Sequence, residues 1–173
     1  MPFRIILTKI VFLALGLRSI FAQVDVIGDQ NFLFIQNNNE INLPFFSNQS
    51  LDTPNDSVQK AVIVIHGANR NADDYYNSIY NNASDLDVLS ETIIIAPQFL
   101  ITADLNHWQP STEFAFWSGT TSWSSGGLSN STNEHPRDYE ISSYTIMDSL
   151  IAHLLTIYPN IQDIALAGNS AGG

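Results

Sequence analysis

Asp163-Ile164-Ala165-Leu166-Ala167-Gly168-Asn169-Ser170-Ala171-Gly172-Gly173 is the stretch on which the fold turns. Ile164 to Ala167 are apolar without interruption, the pattern of a strand covered on both faces. A strand that runs into G-x-S-x-G predicts a tight turn in which the serine hydroxyl stands clear of the sheet. Gly168 and Gly172 leave room for the strand and the following helix to approach each other. Ser170 is therefore the candidate nucleophile. A serine hydroxyl is a weak nucleophile and needs a base to take its proton. The pentapeptide arises by chance in chains rich in Gly and Ser, and the alternative is an ordinary turn serine. The segments before it favour the nucleophile.

Upstream, residues 142–158 carry Tyr144, Met147, Leu150, Ile151, Leu154, Leu155 and Tyr158 at three- and four-residue steps. That spacing predicts an amphipathic helix, closed by Pro159-Asn160. Two more continuous apolar runs, residues 61–65 and 92–96, read as buried strands. Between them residues 72–87 read as a helix with Asn71 as N-cap and Asp73 and Asp74 in the first turn. Nearer the start, residues 24–27 and 32–35 look like strands around a turn at Gly28-Asp29. Residues 44–59 read as a surface loop. Residues 98–137 form a long connection in which Trp108, Phe114, Phe116, Trp117 and Trp123 argue against disorder. It is expected either to line a substrate cleft or to pin itself to the body of the domain. Alternating strands and helices imply an α/β fold with a mostly parallel sheet and helices on both faces. Catalytic groups in such sheets lie beyond the carboxyl ends of the strands.

The first buried strand ends in His66-Gly67-Ala68-Asn69. Serine attack on a carbonyl creates an oxyanion, which fixed backbone N–H groups stabilise well. Ala171, next to the serine, is one candidate donor and Ala68 the other, with Gly67 permitting the tight path. The alternative is a plain turn at a strand end. His107, His135 and His153 are expected to be structural or solvated imidazoles. Asp148 reads as a helix-face acid and Asp163 as a strand-entry acid.

Composition narrows the rest. Residues 1–22 read as a secretory signal peptide: Arg4 and Lys9 lead, residues 10–17 are a short apolar core, and cleavage is expected after Ala22. The alternative is a signal-anchored membrane protein. The apolar run between Lys9 and Arg18 is short for a bilayer span, so no stable membrane insertion is expected. Residues 23–173 would form one partial domain. They keep three basic residues against 17 acidic ones, a net charge of −14. Such a surface repels nucleic acid and anionic membranes. The chain has no cysteine, and no cofactor or metal is expected. Four sequons, at Asn48, Asn55, Asn82 and Asn130, are candidate glycosylation sites in a secreted protein.

Four stretches carry a family resemblance: AVIVIHGANRNADDYY at 61–76, ETIIIAPQF at 91–99, the W-S-G and W-S-S-G-G motifs within 117–127, and SSYTIMDSLIAHLLTIYPNIQDIALAGNSAGG at 142–173. Together they resemble the α/β-hydrolase superfamily, in a secreted esterase- or lipase-like branch. The resemblance implies the N-terminal part of an α/β-hydrolase fold and a small ester or acyl substrate. It carries over Ser170 as nucleophile and Ala68 and Ala171 as oxyanion donors, with His66 and Gly67 supporting the oxyanion loop. In that superfamily the acid and the histidine of the triad follow the serine. They are absent from these residues, so the segment is expected to be inactive by itself. His66-Gly67-Ala68-Asn69 departs from the HGGG form, which sets the chain apart from the hormone-sensitive-lipase branch. Asn169 stands where esterases often carry His, Asp or Glu, and leaves the subfamily open. The competing expectation is a secreted binding protein of the same fold without catalysis.

Overall fold

The structure is a computed structural model that describes residues 23–36, 38–119 and 122–173. The leader expected over residues 1–22 lies outside the described residues.

Five strands form the main sheet: β1 (Gln30–Gln36), β2 (Asn39–Ser47), β3 (Lys60–Ile65), β4 (Thr92–Pro97) and β7 (Asp163–Gly168), in the order β1-β2-β4-β3-β7. Two short strands, β5 (Leu100–Ile101) and β6 (Phe116–Trp117), pair separately. Among the described residues three α-helices accompany them: α1 (Ala72–Asp85), α2 (Thr102–Trp108) and α3 (Ser143–Ile157).

The expectation of a mostly parallel α/β-hydrolase sheet is overturned. The sheet is mixed: β1 with β2 and β2 with β4 are antiparallel, while β3 with β4 and β3 with β7 are parallel. The reason lies in the first half of the chain. β1 and β2 pair as a hairpin from Gln30 opposite Phe45 to Gln36 opposite Asn39. A hairpin can only be antiparallel, whereas parallel neighbours need a long crossover. Part of the expected surface loop at 44–59 is in fact the end of β2, whose alternate residues Ile41, Leu43 and Phe45 are buried. Residues 24–27 form no strand.

α1 packs on one face of the sheet, where Ala72 meets Val64 and Ala96. α3 lies on the other face, over the largest apolar cluster. Ser142 caps α3, its hydroxyl accepting from Tyr144 N–H at 3.2 Å. The stripe that α3 buries is Ile146, Leu150 and Leu154, followed by Tyr158; Tyr144 and Leu155 are exposed. α1 has no side-chain cap. Instead Asn71 donates its amide to Asp74 at 2.6 Å.

Within the long connection, Phe114, Phe116, Trp117 and Trp123 are buried, while Trp108 is partly exposed. The Phe99 and Trp123 rings stack at 5.0 Å, and Trp117 meets Phe99 edge-on. β4 is buried along its whole length, but β7 is largely exposed, since it pairs with β3 alone.

Candidate active site

Parallel pairing decides where the chemistry collects. β3 and β7 run side by side with Ile65 opposite Gly168. The two strands therefore release His66-Gly67 and Asn169-Ser170 at the same rim. A Cβ placed on Gly67 would stand 3.6 Å from Ser170 Cβ and 3.5 Å from the Asn169 carbonyl oxygen. The structure thus brings Ser170 and the His-Gly loop together.

Ser170 is exposed and has φ of 56°. A non-glycine residue in the left-handed region costs of order 1–3 kcal/mol, and such strain concentrates where a side chain has to be presented. The glycines on either side explain how the turn is tolerated. A Cβ on Gly168 would fall 1.8 Å from the Gly172 carbonyl oxygen, and one on Gly172 would fall 2.5 Å from that of His66. Among the described residues Ser170 Oγ makes no hydrogen bond.

The His66–Arg70 loop is held by its carbonyls. Gly67 O accepts from Arg70 N–H at 3.0 Å and from His66 Nδ1 at 2.8 Å. Ala68 O accepts from Arg70 Nη1 at 2.9 Å, and Arg70 O accepts from Gln98 Nε2 at 2.9 Å. Among the described residues the N–H groups of Ala68 and Ala171 have no acceptor. Carbonyls tied inward with N–H groups left over is the arrangement an oxyanion needs.

His66 is fully buried and both its ring nitrogens are engaged. Phe99 N–H donates to Nε2 at 2.9 Å, so the ring proton sits on Nδ1 and points at Gly67 O. The ring also meets Trp123 edge-on at 4.7 Å. It fixes the loop and has no nitrogen free to serve as a base. Burial, more than any other cause, lowers its pKa from 6.5 to about 4; the Gly67 carbonyl opposes this and the Arg70 charge adds to it. The unfolded chain therefore takes up this proton first as pH falls. The stability tied to neutral His66 is whole above pH 6.5 and drains away as pH falls to about 4. The full loss is about 3 kcal/mol. His66→Asn removes the titration. Its urea-unfolding free energy is expected to change less between pH 7 and pH 4 than that of the parent, by about 3 kcal/mol. Equal pH dependence in the two proteins would refute this account of His66.

Beneath the loop lies an ion pair that the sequence did not reveal. Arg70 is 1% exposed and Asp104 is 0% exposed, so neither charge is shared with water. Arg70 Nε donates to Asp104 Oδ2 at 2.8 Å and Nη2 donates to Oδ1 at 3.2 Å. Asp104 also accepts from Val24 N–H at 2.9 Å and from Ile101 N–H at 2.8 Å. Arg70 itself has φ of 59°. Gln98 extends the network, accepting from Gly28 N–H and donating to Val26 O. The pair lies 34 positions apart in the chain, and no local pattern announces it.

The other histidines stand elsewhere. His107 is exposed beside Trp108, His135 faces Asn106 at 2.6 Å, and His153 donates to Leu51 O at 2.7 Å. Among the described residues no group of three His, Cys, Asp or Glu side chains is arranged to hold a metal ion, and no helix is long and apolar enough to cross a membrane. An apolar cavity of about 140 Å³ opens beside Ala171 and Gly172, walled by Ile65, Phe99, Trp123, Met147 and Leu166.

The four sequons differ in setting. Asn48 spends its side chain on β4, donating to Thr92 O at 2.9 Å and accepting from Ile94 N–H at 2.8 Å. Asn55 caps a turn by accepting from Ser57 N–H. Asn130 is half-buried, and Asn82 is exposed on α1.

No protein-family model, curated protein or solved structure matches the chain.

Proposed function

We propose that this protein contributes the nucleophile and the oxyanion hole of a serine hydrolase that cleaves carboxylic esters. Ser170 Oγ attacks the ester carbonyl, and the carbonyl oxygen takes up negative charge against the N–H groups of Ala171 and Ala68. Collapse of that intermediate expels the alcohol and leaves an acyl-enzyme, which water then hydrolyses. The apolar cavity next to Ala171 suits the acyl part of a small ester. The observation that carries this reading is the strained, exposed Ser170, whose Cβ lies 3.6 Å from where a Gly67 side chain would begin. It rests on the local turn and not on the overall form of the sheet.

The described residues bring no imidazole to Ser170, and the full reaction needs a base there. The alternative is a secreted binding protein with the same turn and no catalysis. The two readings separate in one experiment. The gene product isolated from its own cells is treated with an alkyl fluorophosphonate and digested. Label is expected on the peptide that contains Ser170, and none on the Ser170→Ala variant. An unlabelled Ser170 in the folded gene product overturns the hydrolase and leaves the binding protein.

A further inference from the structure

Tyr75 lies in the first turn of α1, and nothing in its sequence position marks it as more than part of the helix. The structure sets its hydroxyl at the rim where the serine emerges. The point at which a Gly67 side chain would begin is 3.4 Å from Tyr75 Oη and 3.6 Å from Ser170 Cβ. Asn169, the residue before the serine, donates its side-chain N–H to Tyr75 Oη at 2.9 Å. A phenol has one proton to give and accepts through its oxygen. Here the accepting side is occupied by Asn169, which turns the O–H away from the Asn169 amide. Among the described residues that O–H has no acceptor. The ring is half-buried on the α1 face of the sheet, packed with Val64, Ala72 and Ala96, so the oxygen is held on a rigid support.

We propose that Tyr75 is a third oxyanion donor, its O–H joining the N–H groups of Ala68 and Ala171 on the carbonyl oxygen of the bound ester. The proposal rests on Ser170 being the nucleophile. The hydroxyl comes from the helix that follows the oxyanion loop, and Asn169 sets its direction from the serine turn. The two halves of the site are thereby aligned by one hydrogen bond. No bond to Tyr75 forms or breaks and no proton leaves it. It donates a hydrogen bond that strengthens as charge builds on the substrate oxygen, so its effect falls on the rate of acylation more than on substrate binding.

The test compares the gene product with its Tyr75→Phe, Asn169→Ala and double variants. The readouts are the fluorophosphonate labelling rate at Ser170, kcat and KM for a small aryl ester, and the thermal midpoint. Tyr75→Phe keeps the ring and is expected to unfold at the temperature of the parent. Its labelling rate and kcat are expected to fall about tenfold to a hundredfold, with KM little changed. Asn169→Ala leaves the hydroxyl unaimed and costs less, and the double variant is expected to be no slower than Tyr75→Phe. A Tyr75→Phe protein that labels Ser170 at the parent rate overturns the role of Tyr75 alone. A rate loss matched by a fall in thermal midpoint assigns Tyr75 to structure and also overturns it. Absence of label in the parent overturns the serine reading, and this proposal with it.

Discussion

Asp104→Ala is expected to lower the free energy of unfolding by about 3–5 kcal/mol, read from urea or guanidinium unfolding at neutral pH. The magnitude follows from what is left behind. Arg70 is 1% exposed, and without Asp104 its guanidinium is a buried charge facing no carboxylate. Val24 N–H and Ile101 N–H lose their acceptor at the same time. Small domains have only about 5–15 kcal/mol in total, so the change is large. The isosteric Asp104→Asn separates charge from shape and is expected to recover part of the loss. Replacing both partners by apolar residues of similar size, Arg70→Met with Asp104→Leu, should cost less than Asp104→Ala, since no uncompensated charge remains. That double variant is still expected to lose labelling at Ser170, because Arg70 Nη1 no longer holds Ala68 O. An Asp104→Ala protein as stable as the parent would show that the pair carries no weight in folding.

With Ser170 as the proposed nucleophile, Gly168→Ala is expected to slow its labelling by about 10²-fold or more, the effect of a misplacement of about 1 Å. The added methyl would meet the Gly172 carbonyl oxygen at 1.8 Å and its carbon at 2.3 Å. Both are backbone atoms of the same turn, so the clash can be relieved only by opening the turn that presents the serine. Gly172→Ala meets the backbone of His66 and Ile65 at 2.5 and 2.6 Å, and is expected to push the two loops apart with a similar effect. Gly173→Ala is the control, because its nearest neighbours lie at 3.7 Å. It should label at the parent rate. Equal rates for Gly168→Ala and Gly173→Ala would mean that the turn is not under the packing constraint described above.

What the sequence made legible was whatever local pattern could express. β3, β4 and β7 appear as unbroken apolar runs, and α3 as a periodic apolar run closed by Pro159-Asn160. The G-x-S-x-G turn combines three local signals, two glycines and a preceding strand, while the His66-Gly67-Ala68 loop was read separately, from the end of the first buried strand. Strand direction was not legible in the same way. The apolar alternation of Ile41, Leu43 and Phe45 was available as a signal for β2, but Pro44 and the surrounding Asn residues disguised it. Once β2 is recognised, the hairpin with β1 follows, and with it a mixed sheet.

Residues 24–27 show a different failure. Their apolar character looked like a strand, yet their backbone groups bond to the side chains of Asp104 and Gln98 and to Trp108, which donates to Val24 O at 2.9 Å. Side-chain partners of this kind, far away in sequence, leave no periodic trace. Tyr75 and the Arg70–Asp104 pair were missed for the same reason. Only folding brings α1 against the serine turn, or α2 beneath the loop.

The fastening of Val24 has a consequence for how the protein must be handled. Val24 is 3% exposed, and its amide sits on the carboxylate that steadies Arg70. A protease that removes Val24 would therefore loosen the bend around Ala68 without touching it, and an affinity tag fused tightly at Gln23 would crowd the same anchorage. A spacer ahead of residue 23 should preserve reactivity that a flush fusion erodes.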